Sequence, residues 1–295
     1  MPRNAEVHTE PARDTPRAML RDKVIVITGA ARGVGLACAS RFASQGALLL
    51  LNDVGCDVTG HGAAPGLMEE VAAQLRARGA QVESDGRDIT EQGVPEALCE
   101  LAAARFGRLD GVVSCAGVVE RARFGRTSDA ARARAFAVSV EAPLALTRAA
   151  HRHMARSGGG SVALLGGTAG LNGQRRELAS AMAHGALVAM VRTAALELRS
   201  DRVRVNAVIP TALTRQTEDL PLFQSGHAKL APEHVAPLVA HLMSDAASEV
   251  SGQVVGVAGA RFFAYQVSET EGYLGDGDQP LTEAELVAHW DAATR

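Results

Sequence analysis

The sequence predicts a single α/β domain built on a doubly wound parallel sheet, and three observations carry that prediction. Apolar runs of strand length alternate with segments of helical period from residue 22 to residue 260, with no internal repeat and no linker. The first run, Lys23-Val24-Ile25-Val26-Ile27, is almost wholly β-branched, as expected of a strand buried on both faces. It leads directly into Thr28-Gly29-Ala30-Ala31-Arg32-Gly33-Val34-Gly35, three glycines set between a strand and a helix.

The elements follow in order. A helix continues from the glycine loop through Phe42, and Leu48 to Leu51 form a second strand that ends at Asn52-Asp53. A glycine-rich loop leads to a helix over Pro65–Arg78. A strand at Gln81–Glu83 ends before Asp88-Ile89, a helix covers Glu91–Phe106, and Gly111-Val112-Val113-Ser114 is the fourth strand. Two long Ala/Leu-rich helical segments, 129–156 and 175–199, flank a strand at Ser161–Leu165. Arg204–Val208 is the next strand, followed by a polar segment to Lys229, a helix over Pro232–Met243 and a last strand at Gln253–Val257. Residues 1–21 are expected to be a flexible tail, 22–260 the domain, and 261–295 an extension packing on it. That extension holds both tyrosines, Tyr265 and Tyr273, and the one tryptophan, Trp290.

Composition excludes several classes. A chain of 295 residues with 47% hydrophobic and 21% charged residues has ample material for a globular core. Its net charge of −3 argues against a nucleic-acid binder, which would carry a basic stripe. The four cysteines (Cys38, Cys56, Cys99, Cys115) are scattered, with no spacing suited to a metal site. No secretory signal is evident, and no apolar run approaches the roughly 20 residues that span a bilayer, so no membrane association is expected. The expected setting is cytoplasmic.

The glycine loop has a chemical use. Gly29 permits the turn, Gly33 lets backbone approach a pyrophosphate, and Gly35 allows close helix packing. Asp53, at the end of the second strand, is placed to accept hydrogen bonds from a ribose diol and would repel a 2′-phosphate. NAD(H) is therefore favoured over NADP(H), with Arg32 nearby as the feature that keeps NADP(H) open.

These residues resemble the short-chain dehydrogenase/reductase family, whose T-G-x-x-x-G-x-G spacing is matched at Thr28–Gly35. The resemblance covers residues 22–260 and implies a Rossmann-like fold. Asp88-Ile89 looks like the family's adenine-contacting pair. Ala116-Gly117 is what remains of an N-N-A-G strand end whose asparagines are here Ser114 and Cys115. The run Arg204–Pro210 is similar to the one preceding the nicotinamide, with Thr211 where glycine is usual and Thr214 placed to reach the carboxamide or pyrophosphate. Asn52-Asp53-Val54-Gly55, with the insertion to Pro65, is similar to the branch containing peroxisomal hydroxyacyl-CoA dehydrogenase domains. That likeness implies a bulky acyl, steroid or polyketide-like carbonyl or hydroxyl substrate. It also implies a homodimer or homotetramer formed through the two long helices.

The same resemblance brings a departure. The positions of the family's catalytic Asn, Ser, Tyr and Lys are occupied here by Ser139, Gly167, Ser180 and His184, and no Tyr-x-x-x-Lys occurs anywhere in the chain. A serine hydroxyl is far less acidic than a phenol, and loss of a general acid/base alone commonly costs 10²- to 10⁴-fold. Residues 177, 180 and 184 share a helical face, so Glu177, Ser180 and His184 are expected to line one pocket, with Thr168 beside them and Arg175 at its mouth as a candidate anion contact. His184 and Ser180 are the candidate catalytic pair, a Ser-His hydrolytic arrangement included. Tyr265 and Lys229 are weighed as substitute donors, with surface or packing roles favoured for each. Three readings stand: an enzyme performing cyclisation, dehydration or isomerisation, in which NAD(H) is not chemically consumed; an oxidoreductase with an unusual proton donor; and a non-catalytic binding or partner subunit.

Overall fold

A computed structural model of the protein describes residues 18–64, 66–224 and 230–294. Eight strands form one sheet in the order β3-β2-β1-β4-β5-β6-β7-β8. They are β1 (Val24–Thr28), β2 (Leu48–Asn52), β3 (Gln81–Asp85), β4 (Gly111–Ser114), β5 (Gly160–Leu165), β6 (Val203–Thr211), β7 (Val254–Ala258) and β8 (Arg261–Ala264). The first seven pair in parallel, with Val24 opposite Leu48 and Ile25 opposite Gly111 on the two sides of β1. β8 returns antiparallel against β7, Val255 facing Ala264. The sequence reading ended the sheet at residue 257 and the domain at 260. It missed this short edge strand because Arg261-Phe262-Phe263-Ala264 shows no periodicity and leaves Phe262 largely exposed.

The helices are α1 (Gly33–Ser44), α2 (Leu67–Arg76), α3 (Val94–Phe106), α4 (Asp129–Phe136), α5 (Ala142–Arg156), α6 (Ala169–Asn172), α7 (Leu178–Glu197), α8 (Pro221–Gln224), α9 (Ala236–Met243) and α10 (Glu283–Thr294). All five residues of β1 are buried, and Ile25 and Ile27 join Leu49, Leu51 and Phe42 in a core between the sheet and helices α1 and α9. The helix read over 129–156 is interrupted by a π turn at Ala137–Glu141. Ser128 caps its start, accepting a hydrogen bond from the Ala131 amide at 3.0 Å. Asn206 fastens β6 to the neighbouring loop, donating to the Val250 carbonyl and accepting from the Gln253 amide.

Two expectations need correction. Leu20 is fully buried in the main core, so the chain is already ordered before residue 22; residues 1–17 lie outside the described residues. By length and composition alone, α7 with its 3₁₀ extension (Leu178–Asp201), in which an 18-residue stretch has mean hydropathy 1.3, is apolar enough to cross a bilayer, where the sequence reading saw no run of that length. It instead packs against α4, α6 and β6. Residues from Tyr265 onward form a second compact unit. Within it Tyr273 stacks on His289 at 3.9 Å, and its hydroxyl donates to Glu285.

Candidate active site

The strand order reverses between β1 and β4, and a cavity of about 1200 Å³ opens at the carboxyl ends of these strands. Ordinary ligand pockets run to roughly 300–1,000 Å³, so there is room for a nucleotide and a second ligand.

The glycine loop is shaped by contact. Gly29 has φ +67°, and a Cβ there would lie 2.5 Å from the Ala116 amide nitrogen. A Cβ on Gly35 would enter the carbonyl oxygen of Gly29. Arg32, the N-cap of α1, offers no side-chain acceptor to the first-turn amides, which leaves that helix end open to an anion. The Asp53 carboxylate is held by the Ala31 amide (3.0 Å) and the Gly55 amide (2.8 Å). Asp88 is turned onto Thr90, accepting from its amide and hydroxyl. Gly29, Arg32, Gly33, Gly35, Asp53, Asp88, Ile89, Ala116, Gly117, Pro210 and Thr214 all line the cavity. This cradle fits the phosphates and ribose of a dinucleotide.

The loop after Asp53 closes over this end. Its carbonyls accept from side chains on three separate elements: Cys56 O from Arg32 (3.1 Å) and Arg215 (2.8 Å), and Gly60 O from Arg134 (3.0 Å). The Val119 amide adds a backbone bond to Val58 O. Neither thiol on the lining is activated. Burial and neighbouring Asp53 raise Cys56, and Cys115 is held well above the ordinary thiol value by its hydrogen bond with Cys38 and by burial.

At the other end, the first turn of α7 meets α6. Glu177, Ser180 and His184 all line the cavity, as their helical spacing predicts, together with Gly167 and Thr168. Ser139, buried in the π turn, and exposed Arg175 do not line it. The lining contains no tyrosine and no lysine among the described residues, and Lys229 lies outside them.

Gly167 and His184 form one steric unit. A Cβ on Gly167 would stand 2.8 Å from His184 Nδ1, and one on Gly170 would lie 2.5 Å from His184 Cβ. The imidazole occupies the volume that a side chain at 167 would fill. Nδ1 is sealed in with no hydrogen-bond partner, as is Ser180 Oγ. Ser180 and His184 therefore do not form the hydrogen-bonded pair that their i, i+4 spacing allows. Burial pushes the His184 pKa down to about 4, so the ring is neutral near pH 7.

Sequence reasoning missed Arg121. It stands between β4 and α4 on the cavity wall and donates from Nε to Glu177 Oε1 (2.8 Å), from Nη1 to both Asp219 oxygens (2.9 and 3.0 Å) and from Nη2 to Gln216 O (2.7 Å). Gln174 donates a second bond to Glu177 Oε1 at 2.9 Å. The left-handed backbone of Arg176 (φ +68°) turns the chain inward just before Glu177. Arg121 is one arginine among many, in no motif; only its place after Ala116-Gly117 hinted at the cavity. Arg134, Gln174 and Arg215 were missed for the same reason.

Comparison with known proteins places this geometry. The model of the family described as enoyl-(acyl carrier protein) reductase matches residues 29–259. The chain is 32% identical over 230 residues to the peroxisomal multifunctional enzyme type 2 of Mus musculus, covering 78% of this chain but only 31% of that enzyme. It is 30% identical to a short-chain type dehydrogenase/reductase of Mycobacterium tuberculosis, covering 93% of this chain and 95% of that one. The crystal structure of a short chain dehydrogenase from Mycobacterium avium superposes with a TM-score of 0.81 at 28% identity, covering 94% of this chain and 97% of the other.

Proposed function

Because the chain belongs to the short-chain dehydrogenase/reductase family, whose members generally bind NAD(P)(H) and act on small molecules, we propose a nucleotide-dependent site with its own proton chemistry. In this reading the protein binds NAD(H) in preference to NADP(H). It acts on a bulky, largely apolar carbonyl or hydroxyl compound of the acyl, polyketide or steroid-like kind, without a tyrosine–lysine pair.

The observation that supports this most directly is the Gly167–His184 unit. A ring that protonates only near pH 4 cannot replace a lysine ammonium at neutral pH. A neutral imidazole can instead donate or accept a hydrogen bond at Nε2, the ring nitrogen that is not sealed against Gly167. Aimed at a carbonyl or hydroxyl oxygen, it suits cyclisation, dehydration or isomerisation, which need polarisation and proton movement. The substrate's apolar body would lie against Val118, Ala133, Val138, Leu213, Leu220 and Phe223. A nicotinamide dinucleotide, when bound, supplies a hydride donor or acceptor in the same cleft. The fixed Asp53 carboxylate supports a free ribose 2′-hydroxyl there over a 2′-phosphate.

A second reading, an oxidoreductase that takes its proton through His184 or Ser180, draws support from the glycine cradle and from relatives named as dehydrogenases. A third, a binding or partner subunit, draws support from the absent tyrosine and lysine. Native mass spectrometry with and without NAD(H) tests the foundation; no adduct at millimolar cofactor would remove the first two readings. Product formed without NADH loss, and abolished in His184→Ala, separates the first from the second. Association through α5 and the exposed Met182–Leu196 side of α7 would give a homodimer or homotetramer, and a monomer in light scattering would refute that.

A further inference from the structure

The polar end of the substrate compartment holds one guanidinium between two carboxylates of very different character. Glu177 has only 10% of its side chain exposed and is fixed by both Arg121 and Gln174. Asp219, with 58% exposed, meets Arg121 from the solvent side with both oxygens. Arg121 itself is 19% exposed and faces the cavity. Glu177 cannot leave without stranding a buried charge. Asp219 is the more readily moved of the two, because an exposed ion pair contributes little.

We infer that Arg121 is a receptor for a carboxylate on the ligand of this compartment, and that Asp219 is an internal stand-in for that group. The inference rests on the reading of the apolar compartment as a substrate site, and it deepens that reading to an apolar compound bearing an anionic carboxylate. Three features support it. Arg121 Nη1 already donates to both oxygens of a carboxylate, a charge-assisted contact that a ligand carboxylate could take over. Exchanging Asp219 for a ligand carboxylate leaves the local charge count unchanged, so no new charge is buried without a partner. Asp219 is followed directly by Leu220, Pro221, Leu222 and Phe223, all on the cavity lining, so entry of an apolar ligand displaces the segment that carries the competing carboxylate. Arg121 keeps its bond to Glu177 throughout, which holds the guanidinium plane in place for the incoming group.

The test uses octanoate and its neutral analogue octanamide as probes, with binding to the full-length protein followed by calorimetry or ligand-observed NMR. Octanoate binds more tightly than octanamide to the unaltered chain. In Asp219→Asn, which removes the competing carboxylate charge, octanoate affinity rises about tenfold, the scale of one charge-assisted contact, while octanamide is unchanged. In Arg121→Gln the preference for octanoate disappears. Should that variant fail to fold because Glu177 is left unpaired, Asp219→Asn still decides the matter. Equal responses of both probes to Asp219→Asn overturn the carboxylate receptor and leave the apolar compartment standing. Failure of both probes to bind at all overturns the compartment reading, and the inference with it.

Discussion

His184 makes the stability of this protein depend on pH in a direction that can be worked out in advance. In the unfolded chain its imidazole takes a proton near pH 6.5; in the folded chain burial delays that step to about 4. Above pH 6.5 both states hold the ring neutral, and the group contributes nothing to the pH dependence. As pH falls from 6.5 toward 4, only the unfolded state gains the proton, so folding loses free energy through that window and levels off below it. At about 1.4 kcal/mol per pH unit, the full loss is roughly 3 kcal/mol, of which about 2.5 kcal/mol has accrued by pH 4.5. Urea denaturation of the nucleotide-free protein at pH 7 and pH 4.5 measures it, with His184→Gln as the reference that cannot titrate. Only the difference between the two pH values is compared, so any baseline cost of the substitution drops out. The unaltered protein should lose about 2.5 kcal/mol more than the variant. Equal losses would show that the imidazole is solvated or paired, and would remove the basis for treating it as neutral.

Three further outcomes follow from the same geometry. Gly167→Ser should destabilise the fold by about 1–3 kcal/mol, because its Cβ lands 2.8 Å from His184 Nδ1; adding His184→Ala should recover most of that loss, and additive effects in thermal melts would refute the contact. Gly35→Ala drives a methyl into the Gly29 carbonyl oxygen and should cost more than about 2 kcal/mol while abolishing NADH fluorescence enhancement; a normal melting temperature would contradict the tight helix–loop packing. Asp53→Ser should weaken NADH at least about tenfold and NADPH much less, since it removes both the ribose acceptor and the repulsion of a 2′-phosphate. Unchanged selectivity in a fluorescence titration would deny Asp53 that role.

How far the sequence reached depended on whether a feature was local. The sheet was readable because each buried strand declares itself in a run such as Val24–Ile27, and the glycine loop because strand, turn and helix are contiguous. The convergence of Glu177, Ser180 and His184 was readable because helical periodicity alone brings them together. Arg121 was not, because its partners Glu177, Gln216 and Asp219 lie 56 to 98 residues away, and no spacing rule reaches that far. The π turn at Ala137–Glu141 was hidden because its residues suit an ordinary helix equally well. The edge strand β8 was hidden because an exposed four-residue strand buries too little to leave a pattern. The helix read over 175–199 is α7, whose neighbours α4, α6 and β6 give it a place in the fold.

The contact between residues 167 and 184 also constrains history. A side chain at 167 and the imidazole at 184 compete for the same space, because a Cβ at 167 comes within 2.8 Å of Nδ1. Residues 167 and 184 therefore substitute as a pair: a hydroxyl returned to 167 costs the fold its packing against the ring unless residue 184 changes with it.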